Sequence, residues 1–350
     1  MKSTDLRKLP RVDLRLTALA LGCSQMGGLY RATSAREVED VFASAWAAGV
    51  RYFDTAPFYG YTRSEHRLGT QLAEVPRAEY VVSTKVGRLM RPDASVAPGD
   101  GGWANPYPFR PHYDYSYTGV MRSFEDSQQR LGLAHIDILY VHDIGRDTHG
   151  DMHAHYWQQL TQGGGFKALD ELRSTGMVKA VGLGVNEWQV VMDSMREFDL
   201  DCTMLAGRYT LLEQTCLNPF LDECVRRGNA IVIAGPFNSG ILAGNTKFNY
   251  AEAPPDVVTR VRALESACNE LDVPLQAAAL QFPMAHPAVV SCVTGTRTAA
   301  QLQQNVEWFE HAIPAVLWQA LRERGLLDLA APLPVEPNTL PKDIYADRYL

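Results

Sequence analysis

The chain has 350 residues, of which 46% are hydrophobic, and carries a formal net charge of −7. An acidic balance with no run of Lys or Arg excludes a nucleic-acid or anionic-membrane partner. The start MKSTDLRKLP lacks an apolar export core, and no stretch reaches the roughly 18 unbroken apolar residues of a membrane span, so a cytoplasmic protein is expected.

In chain order, short β-branched runs predict strands over 16–22, 50–54, 80–86, 136–142, 178–184, 202–207, 230–235 and 289–295. Between them, helical patterns cover 34–49, 116–132, 165–176, 218–228 and 254–272. Ser34 and Asn218 are the expected N-caps, and Gly49, Gly132, Gly176 and Gly228 close helices where a positive φ is required. Strands alternating with helices predict an α/β fold, a (β/α)8 TIM barrel with long loops on the C-terminal face, in one domain spanning 1–350. A doubly wound sheet is disfavoured because no GxGxxG follows the first strand. Two connections, 87–115 and 143–164, are longer than the barrel needs and follow strands, which puts them on the face where barrels bind substrate. The first carries Trp103, Tyr107, Phe109 and Tyr113, which suit either a stacking pocket or a loop pinned by its own aromatics.

Within that barrel, Asp54, Lys85 and His142 stand at the C-terminal ends of the second, third and fourth strands, and Tyr59 lies in the loop after the second. Strand ends point over the barrel mouth, so the four converge. A tyrosine, with an ordinary pKa of about 10, is a poor base at neutral pH. A neighbouring ammonium lowers that value, a carboxylate keeps the ammonium charged and aimed, and a neutral histidine orients the reacting oxygen. Such a group transfers a proton at an alcohol or carbonyl while a cofactor takes the hydride. Six cysteines, Cys23, Cys202, Cys216, Cys224, Cys268 and Cys292, lack CxxC pairing and read as reduced thiols. The segment HDIGRDTHGDMHAH (142–155) is rich in His and Asp, but its glycines and spacing suggest a polar loop over a substrate, and no metal is expected.

The stretches FDTAPFYG, SEHRLG, STKVG, DILYVHD, ALDELRSTGMVKAVGLGVN and GTRTAAQLQQN together resemble the aldo-keto reductase superfamily over nearly the whole length. The resemblance implies Asp54, Tyr59, Lys85 and His142 as the catalytic tetrad, with Tyr59 as acid/base. It further implies a nicotinamide dinucleotide lying across the barrel mouth. Asn186 would hold the carboxamide, Phe237, Ser239 and Gly240 the region of the pyrophosphate, and Gly295, Thr296, Arg297, Gln301 and Asn305 the adenosine end. Relatives often carry Gln where Ala206 stands, and a stacking Tyr in the stretch that reads IAGPFNSG here, a stack that is either lost or supplied by Phe237. Gln301 replaces the Arg that commonly meets the 2′-phosphate, which favours NAD, with Arg297 keeping NADP open.

The variants GCSQMGG, MLAGRYTLLEQ and AGPFNSGIL look most like the sugar 1-dehydrogenase branch, which acts on L-fucose and other D-threo-aldoses and has relatives taking L-galactose or pyridoxal. The expected activity is oxidation of an aldose at its anomeric carbon to the aldonolactone, with a small-molecule substrate and no nucleic-acid or membrane partner. The alternatives are an NADPH-dependent aldehyde or ketone reductase, a pyridoxal dehydrogenase, and a non-catalytic cofactor-sensing subunit.

Overall fold

In the computed structural model, which describes residues 1–334, the β-branched runs form eight parallel strands that close into a barrel in chain order. They are β1 (Leu19–Gly22), β2 (Tyr52–Asp54), β3 (Val81–Val86), β4 (Ile138–His142), β5 (Ala180–Val185), β6 (Cys202–Ala206), β7 (Ala230–Ala234) and β8 (Val289–Gly295). Helices pack outside the strands. The first, Ala35–Ala47, buries Val38, Val41, Phe42 and Ala45, one stripe at helical spacing, and begins with a capping box between Ser34 and Glu37. Gly49, Gly132, Gly176 and Gly228 all have positive φ, as a helix end in the left-handed conformation requires.

The barrel interior is a separate apolar cluster. Tyr52, Ile138, Tyr140, Ala180, Cys202, Met204, Ala230 and Val232 fill it from alternate positions of their strands. Leu9, Leu14 and Leu16 close its lower end from an antiparallel hairpin, Leu6–Lys8 with Arg15–Thr17. The single strand expected over 16–22 is therefore two, and Arg15–Thr17 belongs to this plug. Asn218 is no N-cap. Its backbone is extended before Pro219, and the helix Asp222–Arg227 starts after Leu221 without a side-chain cap.

The two long connections are also more ordered than expected. The first contains an antiparallel hairpin, Arg88–Pro92 with Phe109–Tyr113. The second, expected as a flexible loop, is helical over Arg146–His149 and His153–Thr161. Glu187 makes the difference: its carboxylate accepts hydrogen bonds from the backbone N–H of Arg146 and Asp147 at 3.0 and 2.8 Å, a cap supplied from the end of β5. Gly145 is needed here for space, since a Cβ would lie 1.9 Å from a Glu187 oxygen.

The SEHRLG stretch supplies a structural anchor. Glu65, fully buried on the helix Arg63–Leu72, accepts from Thr84 Oγ1 at 2.6 Å and pairs with Arg130 Nε at 2.5 Å. It ties that helix to β3 and to the helix Tyr117–Leu131. Glu65→Ala leaves Arg130 without its counter-charge in a largely buried setting and is expected to cost about 3–5 kcal/mol of stability. Denaturant unfolding checks this, and a loss below about 1 kcal/mol would remove Glu65 from the fold's supports.

Candidate active site

Strand register and side-chain alternation bring the site together. Asp54 pairs in register with Ser83, Lys85 with Tyr140, and His142 with Gly184. Asp54 follows the inward Tyr52 by two residues, and His142 follows the inward Tyr140 by two, so both point into the barrel above the core layer. Lys85 Nζ donates to both Asp54 oxygens at 2.9 and 2.7 Å and to the Thr55 carbonyl at 2.9 Å. Ser83 Oγ donates to Asp54 Oδ1 at 2.6 Å, and Tyr52, beneath it, shares hydrogen bonds with Ser83 and Tyr140. The carboxylate is thus held on two sides, and both members of the ion pair are almost wholly buried.

Tyr59 comes from the turn after β2. That turn is locked by Gly60, whose φ is 65° and whose added Cβ would sit 2.4 Å from the Gly27 carbonyl oxygen. Lys85 Nζ lies 4.8 Å from the Tyr59 ring centroid, and the His142 ring stands nearly perpendicular to Tyr59 with centroids 6.0 Å apart. The structure therefore gathers all four residues that the sequence pointed to.

The electrostatics follow from burial. His142 is driven well below its ordinary pKa, first by burial and then by the Arg88 and Lys85 charges, so it is neutral. Burial works against the Lys85 ammonium, but Asp54 and Tyr59 more than offset it and the net direction is upward. Tyr59 departs from the expectation. Burial outweighs the opposing Lys85 charge and pushes its pKa up to about 12. Lys85 lowers the tyrosine only relative to what burial alone would give.

Aromatic side chains form the walls. Trp103, 2% exposed, packs on Phe58 and Tyr59 with ring centroids 5.6 and 5.8 Å away. Tyr107 turns away and lies under the Arg63 guanidinium, 4.1 Å from ring to Arg carbon, so it pins the loop. Tyr113 is in a second cluster with Tyr115, His149 and Tyr156. Phe109 packs at the edge of the Trp103 cluster. The loop thus contains both a pocket wall and its own pins.

The histidines of 142–155 do not face a shared point. His149 Nε2 hydrogen-bonds Tyr115 Oη at 2.9 Å, His153 Nδ1 the Ile144 carbonyl at 3.0 Å, and His155 Nε2 the Gln159 amide at 3.1 Å. His149, His153 and His155 each have a partner within the fold. Among the described residues no group of three or more His, Cys, Asp or Glu is placed to hold a metal ion.

The sequence also passed over two residues of the site. Arg88 directly follows the strand β3 and Gly87, and Asp143 follows His142. They form a partly buried ion pair, Arg88 Nη2 to Asp143 Oδ2 at 2.5 Å, with Asp143 in a positive-φ conformation of 43°. The motif STKVGR displays the arginine, but only the fold shows that it faces the mouth.

The residues expected at the cofactor border the same opening. Asn186 Nδ2 donates to the Ala206 carbonyl at 3.2 Å. Ser239 and Gly240 have φ of 62° and 100°, and Ser239 Oγ accepts from the Tyr250 backbone N–H at 3.0 Å. Phe237 turns to Trp308, with ring centroids 6.2 Å apart. Thr298 caps the helix Ala299–Glu310, on which Gln301 and Asn305 lie, and Gln301 Oε1 accepts from the Arg297 backbone N–H at 2.9 Å. The Arg297 guanidinium donates to the carbonyls of Leu29 and Arg31. Thr296 is 4% exposed, beside Gly295, and its Oγ1 has no hydrogen-bond partner among the described residues.

The chain matches the Aldo/keto reductase family model over residues 18–324. The chain belongs to that family. It is an oxidoreductase, and the family works with a nicotinamide dinucleotide. The chain is 51% identical over 340 residues to a pyridoxal 4-dehydrogenase from Microbacterium luteolum, covering 93% of this chain and 99% of that one. It is 41% identical over 323 residues to a D-threo-aldose 1-dehydrogenase from a Pseudomonas species, covering 90% and 95%. Among solved structures, an aldo-keto reductase from Bacillus halodurans in its holo form superposes with a TM-score of 0.72 at 21% identity, covering 94% and 98%. Among the described residues no helix is long and apolar enough to cross a membrane.

A separate cleft of about 1410 Å3 lies at the other end of this reductase barrel, lined by Arg11, Arg173, Asp201, Arg226 and His286 among others. Its charges are already paired, Arg173 with Asp201, Arg11 with Asp199 and Arg226 with Glu223.

Proposed function

We propose that this aldo-keto reductase oxidises the hydroxyl of a cyclic hemiacetal to a lactone, with NAD as the hydride acceptor. The observation that carries this is the buried Asp54–Lys85 pair beneath Tyr59, with a neutral His142 beside it, inside aromatic walls. Pyridoxal in its internal hemiacetal form and an aldopyranose share the reacting unit, a ring carbon bearing a hydroxyl next to a ring oxygen. Pyridoxal is the first substrate to test. The 51% relative acts on it by name, and a flat heteroaromatic ring suits the walls of Phe58 and Trp103. An aldose is the second, on the strength of the 41% relative.

In this scheme Tyr59 takes the hemiacetal proton, Lys85 stabilises its phenolate, Asp54 keeps Lys85 charged and aimed, and His142 orients the reacting oxygen. The C–H bond leaves with its electron pair as hydride, the O–H proton goes to Tyr59, and the C–O bond becomes the lactone carbonyl. The bound dinucleotide supplies the hydride acceptor. Asn186 would hold its carboxamide, and Phe237, Ser239 and Gly240 the middle. Gly295, Thr296, Arg297, Gln301 and Asn305 would hold the adenosine end. The partnerless buried Thr296 hydroxyl fits a ligand at this edge.

Two features support NAD over NADP. Gln301 offers no charge to a 2′-phosphate, and the Arg297 guanidinium already binds two carbonyls. Gln301→Arg is expected to narrow the NAD preference through a charge-assisted contact of about 1.5–3 kcal/mol. Dissociation constants for both dinucleotides test this, and tighter NADP binding by the unaltered protein would sink it. The function itself is tested by nicotinamide absorbance with pyridoxal, L-fucose, L-galactose and simple aldehydes against NAD, NADP and NADPH. Turnover only as an NADPH-dependent aldehyde reductase would overturn it.

A further inference from the structure

Arg88 carries more hydrogen-bonding capacity than its visible partner uses. It is 6% exposed, its guanidinium carbon lies 4.4 Å from the Phe58 ring centroid and 5.5 Å from that of Tyr113, and Nη2 is paired with Asp143. Among the described residues its Nε has no hydrogen-bond partner although the atom is buried. A buried guanidinium with an idle donor is costly unless something else completes it. The surroundings say where that something sits. Asp143 Oδ2 also lies 3.5 Å from His142 Nε2, and His142 Nδ1 is buried and partnerless too. Asp143 is itself fixed, its backbone N–H donating to the Gly184 carbonyl at 3.0 Å. Arg88 and His142 thus meet at Asp143, beside the Phe58, Tyr59 and Trp103 rings.

The chemistry of the missing acceptor follows from charge. Lys85 is balanced by Asp54 and Arg88 by Asp143, and His142 is neutral, so these five side chains together carry no net charge. An oxyanion on a flat ring would gain a charge-assisted bond from the guanidinium and stacking from the walls. A sugar hydroxyl would gain only the weaker neutral bond.

Resting on the proposed hemiacetal oxidation, we propose that Arg88, anchored by Asp143, sets substrate specificity by hydrogen-bonding a ring oxyanion that flanks the reacting carbon, as the phenolate of pyridoxal does. The substrate class is thus a 3-oxido-pyridine hemiacetal in preference to an aldose.

The experiment compares pyridoxal with its 3-deoxy analogue, in which hydrogen replaces the phenolic oxygen. Each is assayed with the unaltered enzyme, Arg88→Met and Arg88→Lys. A second readout is the dissociation constant of the fluorescent lactone product, measured by titration without turnover. The unaltered enzyme should favour pyridoxal in kcat/KM by about 10- to 100-fold. Arg88→Met should abolish that preference, lowering kcat/KM for pyridoxal by about 10- to 100-fold more than for the 3-deoxy substrate, and lactone binding should weaken by a similar factor. Arg88→Lys should recover part of both, because it restores the charge and not the fork. Equal losses on both substrates in Arg88→Met and Arg88→Lys would make Arg88 a support of the fold and overturn the proposal. So would an unaltered enzyme that does not discriminate. Oxidation of aldoses but not pyridoxal would overturn it while leaving hemiacetal oxidation intact, and oxidation of no hemiacetal would remove both.

Discussion

Tyr59→Phe is expected to lower kcat by about 10²- to 10⁴-fold, the range for loss of a general acid/base, while dinucleotide affinity stays within a few-fold. The structure makes the substitution a clean one. The Tyr59 ring packs against Trp103 and His142 and under Lys85, contacts that phenylalanine keeps. Only the hydroxyl is lost, and with it the proton's destination. Lys85 retains Asp54 and the Thr55 carbonyl as partners, so the ion pair beneath does not collapse. Rates of dinucleotide reduction and fluorescence titration of the bound cofactor separate the two effects. A variant within a few-fold of the original kcat would take Tyr59 out of the mechanism and leave the proposed tetrad without its acid/base.

Lys85→Met is expected to move the pH dependence of oxidation and not only its size. In the free protein Tyr59 sits at about 12, because burial disfavours the phenolate more than Lys85 favours it. Lys85 is thus the group holding the tyrosine from going higher, and removing its charge raises the pKa further. Oxidation requires the phenolate, so the fraction of competent enzyme at a given pH falls by tenfold for each unit of the upward shift. Activity should be lower than that of the unaltered enzyme near neutrality, with its alkaline rise displaced to higher pH. The reverse reduction needs protonated Tyr59 and should show no alkaline recovery. Lys85→Met also leaves the buried Asp54 carboxylate unpaired, so the double variant Asp54→Asn with Lys85→Met separates tuning from folding. An unchanged apparent pKa in either variant would mean that Lys85 does not act on Tyr59.

Much of the site was legible because barrel geometry translates strand ends into one location. Asp54, Lys85 and His142 needed only the alternation of a strand and the rule that C-terminal ends share a face. Lys85 was informative because a lysine after an apolar strand demands a partner, which is Asp54. Arg88 was not legible for the converse reason. It lies just past the strand, where the direction of the chain depends on a hairpin that sets Arg88 opposite Tyr113, 25 residues later in sequence. The helical course of 143–164 was hidden likewise, since the carboxylate that caps it, Glu187, comes from another connection.

By itself, then, the sequence determined what local chemistry dictates: eight strands and their order, the helix caps at Ser34 and the closing glycines, and the placing of Asp54, Lys85 and His142 at strand ends with Tyr59 in the loop after the second. These depend on periodicity, backbone preference and residues within a few positions of one another. The tertiary structure alone decided what depends on neighbours remote in sequence. It divided 16–22 between a plug and a barrel strand, turned His149, His153 and His155 to structural partners, and paired Arg88 with Asp143. It also set the sign of the Tyr59 shift. A nearby ammonium is visible in a sequence, but desolvation is a property of everything packed around the ring, and here desolvation is the larger of the two.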